Sequence, residues 1–219
     1  MKKVSSIIQI ASIPEREKML RETVYSLRYQ ADEIFVAFNN YDHIPDFLGR
    51  NECIQLNNLT GDAAKFYDIS LREGYILTCD DDLIYPLDYV EYMISGVYKY
   101  KCPCTLHGKT YTIPVIAFNQ ILNNYQCLSD VKGDGRVDIG GTGCMCWHSD
   151  YLKIKYSDFK SKNMADLWFA KICHEQNVKI MCLDHRKGYL NYQGPVTTIW
   201  DEEKAKGFIE QTKLLKTFL

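Results

Sequence analysis

Apolar and polar positions along this chain follow two periods, one of strands and one of helices. Residues 4–11 form an apolar run broken only by Ser5, Ser6 and Gln9, and Ser12-Ile13-Pro14-Glu15-Arg16-Glu17 follows with a capping hydroxyl, an early proline and first-turn acids. That is a strand, a tight turn and a helix. Leu20, Val24 and Leu27 then recur at i, i+4 and i+7, which predicts one buried helical face. Residues 33–38 read as a second strand, 39–50 as a polar loop with Pro45 and Gly49, and 53–56 as a short third strand. The turn at Gly61-Asp62 is expected to open a helix running to about Arg72 and closed by Gly74.

The next run, Tyr75-Ile76-Leu77-Thr78-Cys79, ends abruptly in Asp80-Asp81-Asp82, and Pro86 opens a helix with Val90, Met93, Ile94 and Val97 on one face. Repeated strand–helix crossovers predict an α/β fold, a mostly parallel central sheet with helices on both faces. The middle of the chain changes character. Residues 101–121 hold short β-prone pieces, and 129–143, rich in Gly and Asp, read as a mobile loop. Asp130, Asp134 and Gly135 miss the spacing of a calcium loop. Gly140-Gly141-Thr142-Gly143 reads as a hinge feeding the apolar strand that holds Trp147; no βαβ unit surrounds it, so it is no dinucleotide fingerprint. A helix from Asn163 to about Gln176 leads into a strand at 178–183, closed by Asp184-His185-Arg186-Lys187. Residues 201–219 place Phe208, Thr212, Leu215 and Leu219 on one stripe among lysines, suited to packing on the domain or to peripheral membrane contact.

Composition narrows this little. With 219 residues, 46% hydrophobic and 25% charged, the chain has the size and balance of one soluble domain. A formal charge of −2 offers no basic excess for nucleic acid. Lys2 and Lys3 precede no cleavage signal and no membrane span is predicted, while the nine cysteines point to reduced, buried thiols in a cytoplasmic compartment. The pairs Cys102/Cys104 and Cys144/Cys146 are spaced more closely than structural zinc ligands.

Charge changes the picture at the three aspartates. Adjacent carboxylates repel and resist desolvation, so a strand tip carrying them needs solvent or a hard cation such as Mg²⁺, Mn²⁺ or Ca²⁺. A solvated acidic turn before a helix explains the same residues. In a parallel sheet, ligands bind beyond the carboxyl ends of the strands, where the turn after the first strand, the Gly61-Asp62 turn and the aspartates all converge. That convergence favours the metal site. Alternation along an extended segment would put Asp80 and Asp82 on one side and Asp81 on the other, supporting the turn. Asp166, in the first turn of its helix, suits either the helix dipole or a general base.

These residues resemble the nucleotide-sugar-dependent glycosyltransferases of the GT-A type, especially small bacterial and phage members. Ile10-Ala11-Ser12-Ile13-Pro14-Glu15-Arg16 is similar to their first strand and nucleotide-binding turn, Gly61-Asp62-Ala63-Ala64-Lys65-Phe66 to the segment before the acidic motif, and residues 75–86 to the strand with their Asp-x-Asp motif. The likeness spans most of residues 4–190. It implies one catalytic domain, with a nucleotide-sugar half at 1–100, an acceptor half at 101–190 and a helical tail at 191–219. It further implies that Ala11, Ile13, Pro14, Arg16, Asp62, Lys65 and Asp81 surround the nucleotide and its diphosphate. Asp80, Asp82 and the late His185 would hold Mn²⁺ or Mg²⁺, and Asp166 would be the catalytic base. His107 and Trp147 line the acceptor side or pack structurally. The implied reaction moves a sugar, from a UDP-sugar by preference, to an acceptor hydroxyl with inversion. The acceptor stays open among surface glycans, lipid-linked sugars, proteins and modified phage DNA. No Gln-x-x-Arg-Trp motif of the processive synthases is present, and the segment around Asp166 lacks the paired acid often found there. A binding module without catalysis and a nucleotidyltransferase are the alternatives, the latter weakened by the lack of glycine in residues 12–16.

Overall fold

The computed structural model describes residues 5–49, 52–194 and 204–219. Val4, Arg50 and Asp201, which bound segments predicted above, lie outside the described residues, as do Lys2 and Lys3.

Among the described residues thirteen strands appear in chain order: β1 Ser6–Ser12, β2 Glu33–Asn39, β3 Cys53–Leu56, β4 Tyr75–Asp80, β5 Leu83–Ile84, β6 Cys104–Thr105, β7 Gly108–Tyr111, β8 Ile121–Tyr125, β9 Gly135–Val137, β10 Ile139–Gly140, β11 Cys144–His148, β12 Ile180–Cys182 and β13 Asn191–Tyr192. The helices described end to end are α1 Glu17–Leu27, α2 Tyr89–Tyr100, α3 Ala165–Glu175 and α4 Ile209–Leu215. Eight strands form the central sheet in the order β3-β2-β1-β4-β11-β6-β12-β9. The half from β3 to β4 is parallel, as the crossovers predict, whereas β11 runs antiparallel to both β4 and β6. A second sheet, β10-β7-β8, stands beside it, and β13 pairs with β5.

Each strand feeds two cores because its side chains alternate faces. Ile8 and Ile10 join Val36, Phe38 and Leu77 under the buried faces of α1 (Leu20, Val24, Leu27) and α2 (Val90, Met93, Val97). Ile7, Ile76, Met145 and Trp147 face the other way, against α3 and Leu214 and Leu215 of α4. The C-terminal stripe therefore covers the domain, with Phe208 4% and Phe218 7% exposed. Among the described residues no helix is long and apolar enough to cross a membrane.

Three local expectations change. The helix expected up to Arg72 is two 3-10 turns, Gly61–Phe66 and Ile69–Leu71, interrupted where Asp68 takes φ 52°. Asp is among the few residues that adopt the left-handed region readily. Helix α2 starts at Tyr89 rather than Pro86, after a turn at 87–88. The Gly- and Asp-rich stretch at 129–143 is no free loop: it supplies β9 and β10, whose backbone groups are paired in the two sheets.

Candidate functional site

Beta strands β1 and β4 are parallel neighbours in register, with Ala11 opposite Asp80, so the turn after β1 meets the acidic tip of β4. The strand ends at Asp80, and Asp81 and Asp82 form a turn. Facing by alternation, which needs extended backbone, stops there. Asp81 and Asp82 lie together on one guanidinium nitrogen: Arg16 Nη1 donates to Asp81 Oδ1 at 2.9 Å and to Asp82 Oδ2 at 3.0 Å. Ser12 Oγ donates to Asp81 Oδ2 at 2.6 Å instead of capping the following helix. A charged acceptor at hand outcompetes a backbone N–H for that hydroxyl. Asp81 is therefore the inner member, 3% exposed, and it fixes the turn after β1; Tyr41 holds the same turn through Ile13 O at 2.9 Å. Ala11, Ile13 and Arg16 remain partly exposed and Pro14 exposed along this rim.

Asp80 faces elsewhere. Its Oδ1 receives Lys65 Nζ, whose side chain is 3% exposed while that of Asp80 is 43% exposed. Burial pulls the Lys65 ammonium down, but the charges of Asp80 and Asp62 outweigh it and the group is held charged. Asp80 Oδ2 rests on the Cα of Gly143, where an added Cβ would lie 1.9 Å from that oxygen. The glycine-rich segment thus serves close approach to a carboxylate. Gly143→Ala is expected to cost about 2 kcal/mol through forced displacement of Asp80, read by denaturant unfolding; an unchanged midpoint would show that Asp80 swings away freely.

Asp166 joins the same group through Thr142, whose backbone N and Oγ1 both donate to Asp166 Oδ1 at 2.7 Å. Asp62 lies behind it. Its Oδ2 accepts from Ala165 N at 3.2 Å, at the start of α3, while its Oδ1 is buried with no hydrogen-bond partner among the described residues. Burial, with Asp166 nearby, pushes the Asp62 carboxyl up to about 7 despite Lys65. Between the ordinary value of 3.8 and about 7 the folded chain keeps a proton that the unfolded chain has lost. This group therefore favours folding most below about pH 4, and the contribution fades as pH rises through 7. Relative to Asp62→Asn, the protein is expected to lose about 2 kcal/mol of stability between pH 5 and pH 8. Unfolding curves at both pH values test this, and parallel behaviour of the two proteins would refute it.

Asp82 is 8% exposed, and burial followed by the charges of Asp80 and Asp81 raises its carboxyl to about 7. Its Oδ1 has no hydrogen bond among the described residues. A carboxylate crowded by two others, with a free oxygen beside the half-exposed Asp80, fits a hard divalent cation that takes one or two protein carboxylates and completes its shell from a bound phosphate. Among the described residues no group of three or more His, Cys, Asp and Glu side chains assembles for a metal. His185 in particular is not brought to the aspartates. It is buried, with Nδ1 on Leu183 O at 3.0 Å and Nε2 near Gln126 O at 3.3 Å. Trp147 is 1% exposed between Phe66 and Phe169, a core residue. His107 is partly exposed and accepts from Cys127 N through Nδ1 at 3.5 Å.

Sequence reasoning passed over Tyr85 as well as Thr142. The Tyr85 hydroxyl accepts from Asp80 N at 2.9 Å and donates to Gly143 O, locking β4 to β11 beneath the carboxylates. Its place three residues after Asp82 carried the only signal, and an aromatic before a proline reads equally well as packing.

No protein-family model matches the sequence, and no curated protein does either. Among the solved structures that share the fold are two of one protein. Residues 1–349 of S. aureus TarS in complex with UDP-GlcNAc match at TM-score 0.52 and 11% identity over 88% of this chain and 59% of that one. The same protein in complex with UDP matches at TM-score 0.51 and 11% identity over 80% and 57%. The chain thus spans less than two thirds of the structures it resembles. The likeness shows the α/β, GT-A type of fold expected from the sequence.

Proposed function

We propose that this chain is a metal-dependent glycosyltransferase that moves a sugar from a nucleotide-diphosphate donor, a UDP-sugar by preference, to an acceptor hydroxyl with inversion. The observation that supports it best is the meeting of Asp80, the Arg16-clamped Asp82 and Asp166 beyond β1 and β4, in a fold held in common with a protein solved with UDP-GlcNAc and with UDP. Asp80 and Asp82 are the residues that would hold Mn²⁺ or Mg²⁺. When bound, such a cation stabilises the negative charge that develops on the departing diphosphate.

The chain's own residues supply the rest. Ala11, Ile13 and Pro14 form the rim against which the nucleoside rests. Arg16, its side chain 21% exposed, fixes the Asp81–Asp82 turn and offers its remaining donors toward the diphosphate. Lys65 and Asp62 act by positioning, from beneath the surface: one orients Asp80 and the other the start of α3. Thr142 holds Asp166 Oδ1, which leaves Oδ2 to take the proton of the acceptor hydroxyl as the new bond forms. His185, engaged by backbone carbonyls, has no part in this scheme.

Thermal denaturation with nucleotide sugars tests the reading. A UDP-sugar together with Mn²⁺ is expected to raise the midpoint more than either alone, because a ligand that binds only the folded state stabilises it by mass action. No shift with any nucleotide sugar would overturn the proposal. A shift without release of UDP in the presence of varied acceptors would favour a binding module.

A further inference from the structure

Helix α1 carries a hydroxyl where its buried stripe calls for an apolar side chain: Thr23 is fully buried and shares the face of Leu20, Val24 and Leu27. A buried hydroxyl needs partners, and this one finds them in the acidic turn. Thr23 Oγ1 lies 2.8 Å from Leu83 O and 3.1 Å from Asp81 O, which share its one proton. It accepts in turn from Gln193 Nε2 at 3.1 Å, a residue 170 positions away and directly after β13. Gln193 Nε2 also donates to Met19 O at 3.2 Å, and Gln193 N donates to Asp82 O at 2.9 Å. Two residues therefore hold the three consecutive carbonyls of Asp81, Asp82 and Leu83. The same side of α1 continues along the chain that follows. Ser26 Oγ accepts from Tyr85 N at 3.2 Å, and just beyond the helix Gln30 Nε2 donates to Pro86 O at 2.8 Å while its Oε1 accepts from Val90 N at 3.1 Å.

We infer that Thr23 and Gln193 are positioning residues for the carboxylates of this turn: by holding its carbonyls they set the affinity of the site for a divalent cation. The inference rests on the reading of Asp80 and Asp82 as the cation's ligands. Three adjacent carboxylates repel one another, and a turn held only through its side chains would open to separate them. Asp81 and Asp82 are drawn together on Arg16 Nη1, which opposes that repulsion from the solvent side. Thr23 and Gln193 oppose it from beneath. With the carbonyls of residues 81, 82 and 83 fixed to α1 and to the chain after β13, the backbone cannot turn, so Asp82 Oδ2 stays on Arg16 while Oδ1 stays available beside Asp80. Hydrogen bonds that orient a ligand without touching the metal typically change its affinity by about 10- to 100-fold when removed. Neither residue meets the cation or the donor itself, because the Thr23 side chain is enclosed and that of Gln193 is spent on α1.

Mn²⁺ binding to the full-length chain, alone and with UDP, read from the electron paramagnetic resonance signal of the free ion, tests this without any assay of transfer. Thr23→Val and Gln193→Met are each expected to weaken Mn²⁺ by at least about tenfold. Thr23→Ser, which keeps the hydroxyl, should recover most of the affinity. Because the two residues bond to each other, the double variant should lose little more than either single one. Hydrogen exchange at the amides of Tyr85 and residue 193 gives a readout that needs no metal: protection should fall in Thr23→Val and Gln193→Met and return in Thr23→Ser. Unchanged Mn²⁺ affinity in both variants would overturn the inference while leaving the cation site in place. Absence of Mn²⁺ binding by the unsubstituted chain would instead overturn the cation reading, and with it the role in affinity; exchange then decides the hold on the turn, which equal protection in all variants would refute. Should Thr23→Val fail to fold, Gln193→Met, altered at a partly exposed position, decides alone.

Discussion

Asp166→Asn is expected to lower sugar transfer by about a thousandfold while leaving donor-induced stabilisation in place. The asparagine carbonyl still accepts from Thr142 N and Oγ1, so the loop that connects β10 to β11 keeps its geometry. What disappears is a proton acceptor, and a positioned general base contributes roughly 10² to 10⁴ in rate. The expected pattern is a fall in kcat, with the UDP-sugar and Mn²⁺ thermal shift equal to that of the unsubstituted protein. A kcat within a few-fold of the original, with donor and metal saturating, would remove Asp166 from the reaction. A product whose anomeric configuration matches the donor's would remove inversion itself.

Lys65→Met is expected to destabilise the fold by about 3 kcal/mol. Its ammonium is almost wholly enclosed and balances Asp80 directly and Asp62 through space, so its loss leaves two carboxyl groups without their buried counter-charge. Removing one partner of a buried pair costs about 3–5 kcal/mol; the lower end applies because the Asp80 side chain is 43% exposed and water screens part of the loss. Denaturant unfolding of Lys65→Met beside the double variant Lys65→Met/Asp80→Asn makes the origin visible. The second substitution should recover part of the loss by deleting the orphaned charge. A loss below 1 kcal/mol, as for an ordinary surface ion pair, would contradict the burial argument. Donor binding should weaken as well, since Asp80 then loses the contact that orients it.

Much of the candidate site was legible because it rests on local rules. An apolar run ending in three carboxylates marks a strand tip, and the carboxyl edge of a parallel sheet gathers such tips. That reasoning gathers the turn after the first strand, the Gly61-Asp62 turn and the three aspartates at one edge, and only the family resemblance adds Asp166; in the structure Arg16 lies on Asp81 and Asp82, and Thr142 holds Asp166. It failed where geometry beyond the strand mattered. Alternation puts Asp81 opposite Asp80 and Asp82, yet the chain turns directly after Asp80 and sets Asp81 beside Asp82 on Arg16, where it supports the turn through Ser12. His185 has a ligand's chemistry and a strand-end position, but it is buried with its ring set between the carbonyls of Leu183 and Gln126. Lys65 read as a ligand for phosphate, and its enclosure makes it a support for Asp80.

Hydrophobic period, turn residues and strand-end charge act over a few residues, so most of the elements and the sheet edge at which they converge are legible along the chain. Which partner each charge takes depends on how the sheet is assembled. β11 enters antiparallel between β4 and β6, carrying Gly143 against Asp80 and Thr142 to Asp166, and the folded-back turn at 81–82 sets two carboxylates on one arginine. Those pairings join residues more than sixty positions apart in most cases, and their energies depend on burial, which is a property of the assembled sheet and not of any single segment.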